Sequence, residues 1–440
     1  MKNNKLFNIV APIIGEPEVL VCGLGSAGIA AALSAARTGA EVMAVEKLPY
    51  AGGTITGSNV TGCCGIADMI SGELAVGGIA LELLQKTGRL PNPLQSKKLF
   101  QPITDQENID QGTIKKIPIR WNTETLKLTA DQLLKESRVS VLYHSMIIGV
   151  DTYDGSCTTV YISNKDGVRA ICPRIVIDCT GDGDIALLCG AGFEKDNNLQ
   201  PLTLQFTIGN IQITCADYIT KMCSTVLKKA KNQGYLESYG GPWLVFSDRE
   251  KKITVNAVRL NYDASNASQL TLAEIEGRRD AWMMFNLWKR EINEFSESYF
   301  LNSGPSVGVR ETRRIKGLYT LTAEDIRKCR SFPDSVAKGA WYLDRHPKGK
   351  VGYHHHEIVP AYKIPFRTLV PVGLKNIFVA GRCHSVTSEA LSSTRVAATA
   401  MAMGHAVGIA AAICSNMNVS AAEVDISKLQ SILFEQDAIF

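Results

Sequence analysis

The sequence predicts an α/β chain: a three-layer domain, discontinuous in sequence, with an α+β domain inserted into it. Three observations carry that reading. VLVCGLGSAGIAA, residues 19–31, is an apolar run that breaks into three glycines and then into alanines, as a buried strand does when it turns into a helix. IVIDC (175–179) and FVAG (378–381) bring the same buried-strand texture back far downstream. Between residues 200 and about 362 the texture changes, with four of the five tryptophans and a long amphipathic segment at 272–295.

In chain order, a strand at 18–22, a helix at about 26–37 and a strand at 41–45 make an opening βαβ unit, the helix ending at Thr38-Gly39. Residues 51–78, rich in Gly, Thr and Ser, read as loops, and the polar stretch from 88 to 121 as a surface excursion or lid. A helix at 126–137 and a strand at 139–143 follow. Strands at 160–163 and 167–172, with turns at Asp154-Gly155 and Asp166-Gly167, form a small antiparallel excursion. The strand at 174–179 runs straight into TGDGD. Thr271 is placed to cap the 272–295 helix. VAATAMAMGHAVGIAAAIC, 396–414, is long enough to span a bilayer, but its alanines and glycines drive insertion weakly and suit a helix packed closely inside a folded domain. The expected division is 15–195 for the first part of the three-layer domain, with an excursion at about 60–124, then 196–362 for the substrate or cap domain and 363–440 for the return.

Composition excludes several classes. With 440 residues, 45% hydrophobic and 20% charged, the chain has room for two or three cores. A net charge of +4, scattered in both signs, does not point to nucleic acid, and no membrane partner is expected. Twelve cysteines without a CxxC pair read as reduced core thiols in the cytoplasm. Pro12 interrupts the apolar patch near the N-terminus and no A-x-A site follows, so no signal peptide is expected.

Gly23, Gly25 and Gly28 fit G-x-G-x-x-G between a strand and a helix. There, first-turn N–H groups and the helix dipole converge on one place where a pyrophosphate can sit. Glu46 ends the second strand, 18 residues after Gly28, where a carboxylate accepts hydrogen bonds from ribose hydroxyls and disfavours a 2′-phosphate. NAD and FAD both satisfy this. Gly52, Gly53 and Thr54 supply a second loop able to fold back over a pyrophosphate, for which an NAD enzyme has no special need. Thr180-Gly181-Asp182 and Gly381-Arg382 end two later strands.

With VLVCGLGSAGIAAALSAARTGAEVMAVEK, AGGTITG, IVIDCTGDGDIA, GVRETRRIKGLYTLTAEDI and NIFVAGRCHSVTSEALSSTRVAATAMAMGHAVGIAA in this order, the chain resembles the FAD-dependent oxidoreductases of glutathione-reductase-like, Rossmann-like fold, related to the flavin part of heterodisulfide reductase. The resemblance runs from about residue 17 to 429. It implies FAD as cofactor. It assigns the pyrophosphate to Gly23, Gly25, Ser26, Ala27 and Gly28, and the adenosine ribose to Glu46 with Lys47 beside it. Gly52, Gly53 and Thr54 would run along the pyrophosphate or the flavin edge, and Thr180, Gly181 and Asp182 near the adenine half. Gly381, Arg382 and Ser385 would approach the ribityl chain, and the helix after Ser393 would aim its positive N-terminus at the flavin pyrimidine, stabilising the reduced form.

Candidates for the chemistry are fewer. GVRETRR offers Arg310 and Arg313, basic groups able to bind a carboxylate or steady a developing enolate, or else an ion-pair strip with Glu311. In HHHE, His354 and His356 share one strand face and Glu357 the other, which suits an acid/base role; no metal is expected, because nothing at metal-like spacing completes a ligand set. His384, beside the Gly381-Arg382 turn with Cys383, is the preferred proton-transfer residue. The vicinal pair Cys63-Cys64 lacks the four-residue spacing of flavin disulfide reductases.

The expected activity is hydride transfer between a small-molecule substrate and non-covalently bound FAD; AGGTITG contains no histidine for covalent attachment. A separate electron carrier and a homo-oligomer stay open as partners. Two alternative functions stay open as well: an FAD-binding subunit for electron transfer or assembly, and a flavin-dependent RNA-modifying protein.

Overall fold

A computed structural model of the chain describes residues 9–92, 94, 96–99, 119–247, 249–346 and 355–440. His354 and most of the expected 88–121 excursion lie outside them. The opening unit forms as read: the strands Val19–Cys22 and Val42–Val45 pair in parallel, joined by the helix Ser26–Arg37. Five parallel strands follow the order Ile377–Val379, Ile175–Asp178, Val19–Cys22, Val42–Val45, Ser140–Leu142. The chain leaves this sheet after Asp178 and returns to its edge at Ile377, so the domain is discontinuous.

Both faces of the sheet are buried, which is why its strands read as unbroken apolar runs. Val19, Val21, Ile175, Ile177 and Phe378 point into the helical layer. Leu20, Cys22, Val176, Ile377 and Val379 point the other way, onto Cys157, Val160, Ile162 and Ile171 of a second sheet. That sheet orders Ile13–Gly15, Gly167–Ile171, Ser156–Asn164 and Met146–Tyr153. Each inward Val, Leu or Ile contributes about 1.5–3 kcal/mol.

The helix Ala397–Met417 is, among the described residues, the one long and apolar enough to cross a membrane, and it lies buried in the core. Its small residues explain this. It crosses Ser26–Arg37 with backbones in contact: a Cβ on Gly404 would stand 2.0 Å from the Ala27 carbonyl oxygen, and one on Gly408 2.0 Å from Ser34 Oγ. The helix expected to follow Ser393 directly is interrupted. Ser388–Thr394 ends, Val396 adopts an extended backbone, and the long helix starts afresh at Ala397.

A second core, from Leu202 to Val307, sits under a four-stranded antiparallel sheet in the order Tyr239–Ser247, Lys252–Val258, Phe206–Gly209, Tyr299–Ser303. The helices Ala216–Asn232 and Ala267–Glu291 cover one of its faces. Leu321, Ile326, Val336, Leu343 and Ile364 pack into the first core. The cap of the long helix is corrected. Asn266 caps it through a bond from the Gln269 N–H (3.1 Å), whereas the Thr271 hydroxyl turns back to the Ala267 carbonyl (2.8 Å) inside the helix.

Candidate functional site

Two groups of residues stand out. The first is a cradle of glycines. Gly23, at φ +93°, crosses the neighbouring strand so closely that a Cβ would stand 2.6 Å from the Cys179 carbonyl oxygen; a Cβ on Gly28 would stand 1.8 Å from that of Gly23. These two glycines are demanded by the fold. Gly25 differs: a Cβ there would meet only the Gly53 Cα, at 3.7 Å, so its glycine is not required by protein packing. The second loop lies directly on the first, Gly53 (φ +54°) against the Gly25 Cα and the Gly52 N–H donating to the Leu24 carbonyl (2.8 Å). Glu46 is buried and ties the two loops: its Oε2 accepts from the Leu24 N–H (2.7 Å) and its Oε1 from the Leu48 N–H (2.9 Å). Carboxylate oxygens have lone pairs to spare for hydroxyls.

The returning chain closes the cradle from the other side. Gly381, at φ +84°, faces the Ala27 and Ala400 methyls, so loop, turn and final helix converge on one point. At the start of that helix the Ala398 N–H donates to the Cys64 carbonyl (3.3 Å), and the fully buried Thr399 hydroxyl has no partner. An unsatisfied buried hydroxyl costs about 1–3 kcal/mol.

A third loop, TGDGD, is organised by Asp178, which the sequence reading passed over. Its Oδ1 accepts from Thr180 Oγ1 (2.7 Å) and the Thr180 N–H (3.0 Å), and its Oδ2 from the Ala186 N–H (2.9 Å). Burial pushes its pKa up to about 6 against these bonds. Thr180 is thus spent on holding the loop. Asp182 pairs with Arg382 (2.8 Å) and Thr312 Oγ1 (2.6 Å); burial would raise its carboxyl, but Arg382, Thr312 and exposed Lys47 outweigh that and hold it low.

The second group is cationic and lies between the four-stranded antiparallel sheet of the second core and the start of the final helix. Cross-strand pairing puts Trp243 opposite Asn256, on that sheet's face away from its helices, and Arg259 follows that strand with its guanidinium 5.0 Å from the Trp243 ring. The strands Leu343–Arg345 and His355–Glu357 pair Asp344 with His356. Asp344 then joins three partners: His346 Nε2 (3.1 Å), His356 Nδ1 (3.2 Å) and Arg395 Nη2 (3.4 Å). The Trp243 and His346 rings meet edge to face at 6.1 Å, which links the two halves of the group. Arg310, buried, donates to the Pro201 carbonyl (2.6 Å).

The electrostatics follow from burial. It pulls Arg259 down to about 9 and Arg310 well below its ordinary value, in both cases helped by Arg395 and, for Arg310, by Arg259; only Asp344 opposes. Guanidiniums stay protonated in proteins, so the downward pull measures a cost that the folded chain carries. Burial would raise Asp344, but His346, His356 and Arg395 outweigh it and hold the carboxyl well below the usual range. Burial, with Arg310 and Arg259, keeps His346 neutral.

The model of the FAD dependent oxidoreductase family matches residues 18–433. The chain belongs to that family. Among curated proteins none is similar enough to count as a relative. Solved structures similar to this FAD-dependent oxidoreductase include a geranylgeranyl bacteriochlorophyll reductase-like protein from Thermoplasma acidophilum, at 14% identity over 96% of this chain and 84% of that one, with a TM-score of 0.49. A flavoprotein/dehydrogenase from Cytophaga hutchinsonii is 15% identical over 95% and 82%, with a TM-score of 0.45. The p-nitrophenol 4-monooxygenase PnpA from Pseudomonas putida is 12% identical over 96% and 84%, also at 0.45.

The residues present suit FAD: a cradle open at Gly25, a buried carboxylate at the end of the second strand, and an unpartnered hydroxyl at a helix start. The structure gathers Gly23, Gly25, Ser26, Ala27, Gly28, Glu46, Gly52, Gly53, Thr54 and Gly381 about this cradle, and Gly181, Asp182 and Arg382 beside one another. Ser385 is not among them; it is buried against Thr320 (3.1 Å). His384 is likewise sealed in, its Nε2 on Thr394 (2.9 Å), and burial lowers it to about 3. A histidine so neutral and enclosed is suited to holding the turn to the helix rather than to exchanging protons. Arg313 is taken up by Asp184 and the Asp182 carbonyl, apart from Arg310. Cys63 and Cys64 are free thiols, and burial pushes Cys64 up to about 12, far from a reactive thiolate.

Arg259, Asp344, His346 and Arg395 escaped the sequence reading. Asp344 and His346 have the same alternate spacing that was noticed at His354 and His356. Arg395 is a lone charge in a run of small residues.

Proposed function

We propose that this enzyme holds FAD non-covalently across the glycine cradle and transfers a hydride between the flavin and a small organic substrate lying against the Arg259, Arg310, Asp344, His346, His356 and Arg395 group. The observation that carries it is the convergence at Ala27: the first loop, the Gly381 turn and the final helix meet there, and the cationic group flanks the start of the same helix through Arg395. FAD when bound supplies the two-electron chemistry.

The chain's own residues do the rest. Gly25 leaves the approach to the backbone open, and Glu46, already fixing both loops, offers its remaining lone pairs to the ribose hydroxyls. The Ala397 helix start, with its positive end and the unpartnered Thr399 hydroxyl, would favour negative charge on a cofactor bound there. Asp344 accepts from His346 Nε2 and faces Nδ1 of His356, so that His356 is oriented to take a proton leaving the substrate. Arg310 and Arg259 stabilise negative charge that develops as the proton leaves. Arg313 supports the TGDGD loop.

The order of motifs supports kinship with glutathione-reductase-like flavoproteins and with the flavin part of heterodisulfide reductase. The packing supports a cap of about 200–310 inserted in the nucleotide domain. Twelve free thiols support a reducing, cytoplasmic setting. Reoxidation falls to a separate carrier or a second substrate, since no second G-x-G-x-x-G follows a strand.

The test is anaerobic. The purified, yellow protein is mixed with a panel of alcohols, amines and acids while the visible flavin bands are followed. Bleaching by a panel member, slowed at least tenfold in His356→Gln or Asp344→Asn and with an altered pH profile, supports the reading. A bleaching rate unchanged in both variants refutes the assignment of the proton path.

A further inference from the structure

We infer that the substrate carries a carboxylate group, held by the guanidiniums of Arg259 and Arg395 with Arg310 beside them, between the cap sheet and the start of the final helix. This rests on the reading of that region as the substrate face.

The buried guanidiniums of Arg259 and Arg310 and the partly buried one of Arg395 gather around one carboxylate, Asp344, which already serves Arg395 and two histidines. Glu311, the other acid felt by Arg395, is committed to Arg314 (2.6 Å) and the Gln200 N–H (3.1 Å). Arg120, next to Cys64, adds a further cation. The group therefore buries more positive than negative charge. Folding tolerates such an excess when an anion completes it.

The hydrogen bonds show where that anion fits. Arg259 spends Nη1 on Thr203 Oγ1 (3.2 Å), Asn256 Oδ1 (3.0 Å) and the Val258 carbonyl (2.9 Å), but its buried Nη2 has no acceptor. Arg395 spends Nη2 on the Asp344 carbonyl (3.1 Å) and Oδ2 (3.4 Å), while its Nε, also buried, has none. Both residues are thus fixed by the protein on one nitrogen and left with an unsatisfied donor on another. An oxyanion satisfies such donors with charge-assisted bonds. Two unsatisfied donors, one on each guanidinium, match the two oxygens of a carboxylate, which accepts both in one plane.

The oxidised holoenzyme is titrated with acetate, oxalate, malonate and benzoate, with the neutral amide of each, and with inorganic phosphate, reading the visible flavin spectrum and the melting temperature. At least one carboxylate is expected to saturate and its amide not to. Arg259→Gln is expected to weaken that binding about 10- to 100-fold. Arg290→Gln, the same charge change on the exposed end of the cap helix, leaves it unaltered. If Arg259→Gln does not fold, Arg395→Lys and the acid-against-amide comparison in the unaltered enzyme decide the matter. Amides binding as well as acids, no saturation by any carboxylate, or phosphate binding more tightly than every carboxylate overturns the inference while FAD stays bound. A chain that holds no FAD overturns the reading beneath it instead.

Discussion

Gly404→Ala tests the packing that brings the two ends of the chain together. In an exposed helix this change stabilises by about 1 kcal/mol, because alanine is the better helix former. Here the new Cβ would stand 2.0 Å from the Ala27 carbonyl oxygen, 2.8 Å from its carbon and 2.9 Å from its Cα. An ordinary carbon–oxygen contact is roughly 3.2 Å, so the two helices must separate locally by about 1 Å. The obstacle is backbone and cannot swing aside. Gly408, equally close to Ser34 Oγ and to the Ala31 carbonyl oxygen at 2.3 Å, repeats the constraint one turn later. Overpacking of this kind costs about 1–3 kcal/mol, and a rigid neighbour puts it at the upper end. With the helix gain subtracted, the net expectation is a loss of about 2 kcal/mol. Urea unfolding of the holoenzyme, followed by far-ultraviolet circular dichroism, measures it, and flavin retention should weaken in parallel because Ala27 also contacts the Gly381 turn. A Gly404→Ala variant as stable as the parent, or more so, would refute the close-packed helix pair.

Gly25→Val should separate folding from cofactor binding: the apoprotein keeps a melting temperature close to the parent's, since the side chain meets little but Gly53, yet the purified protein is colourless. Gly28→Ala, by contrast, should lower stability itself by about 1–3 kcal/mol or more, because its Cβ would lie 1.8 Å from the Gly23 carbonyl oxygen. Acid should destabilise the fold. Burial lowers His384 to about 3 and His405 to about 4, so between those values and an unfolded pKa of about 6.5 the unfolded chain binds more protons and stability falls as pH falls. Each histidine then loses about 2 kcal/mol between neutral pH and pH 5, to order of magnitude. Asp178, raised to about 6, works oppositely: its protonated form favours the fold, returning about 1 kcal/mol over the same interval and losing it as pH rises through 6. The net change, about 3 kcal/mol, is read from urea midpoints at pH 5 and pH 7, and a flat profile there would contradict the burial of the histidines. Arg313→Met should reduce thermal stability and FAD affinity without altering the rate constant for flavin bleaching at saturating substrate, as its partners Asp182 and Asp184 belong to the TGDGD loop.

What was legible in the sequence follows from what is local. The opening helix was read at the residues it occupies, 26–37, because an apolar strand, a glycine turn and a run of alanines leave few alternatives. The burial of the final helix was legible from its small residues. The Asn266 cap was missed because Thr271 also has a capping side chain, and only the fold shows which hydroxyl or amide meets an orphan N–H. Residues 321–364 share the texture of the inserted domain, yet Leu321, Ile326, Val336, Leu343 and Ile364 bury their side chains in the first core, a placement set by packing rather than by local sequence. The cationic group was the least legible part. Its members come from the cap sheet, a strand pair and the break before the final helix, and Arg259, Asp344 and Arg395 become neighbours only through packing. His384 was favoured for standing beside the Gly381 turn, yet adjacency in sequence did not give it access.

The central claim is that one FAD site is built from both ends of the chain and faces the cationic group. A crystal structure of the holoenzyme with its flavin measures this most directly. The account predicts the pyrophosphate over Gly25 and the isoalloxazine between the Ala397 helix start and the Arg259, His356 and Arg395 side chains. An isoalloxazine lying away from those side chains, or a pyrophosphate held elsewhere than over Gly25, would contradict it.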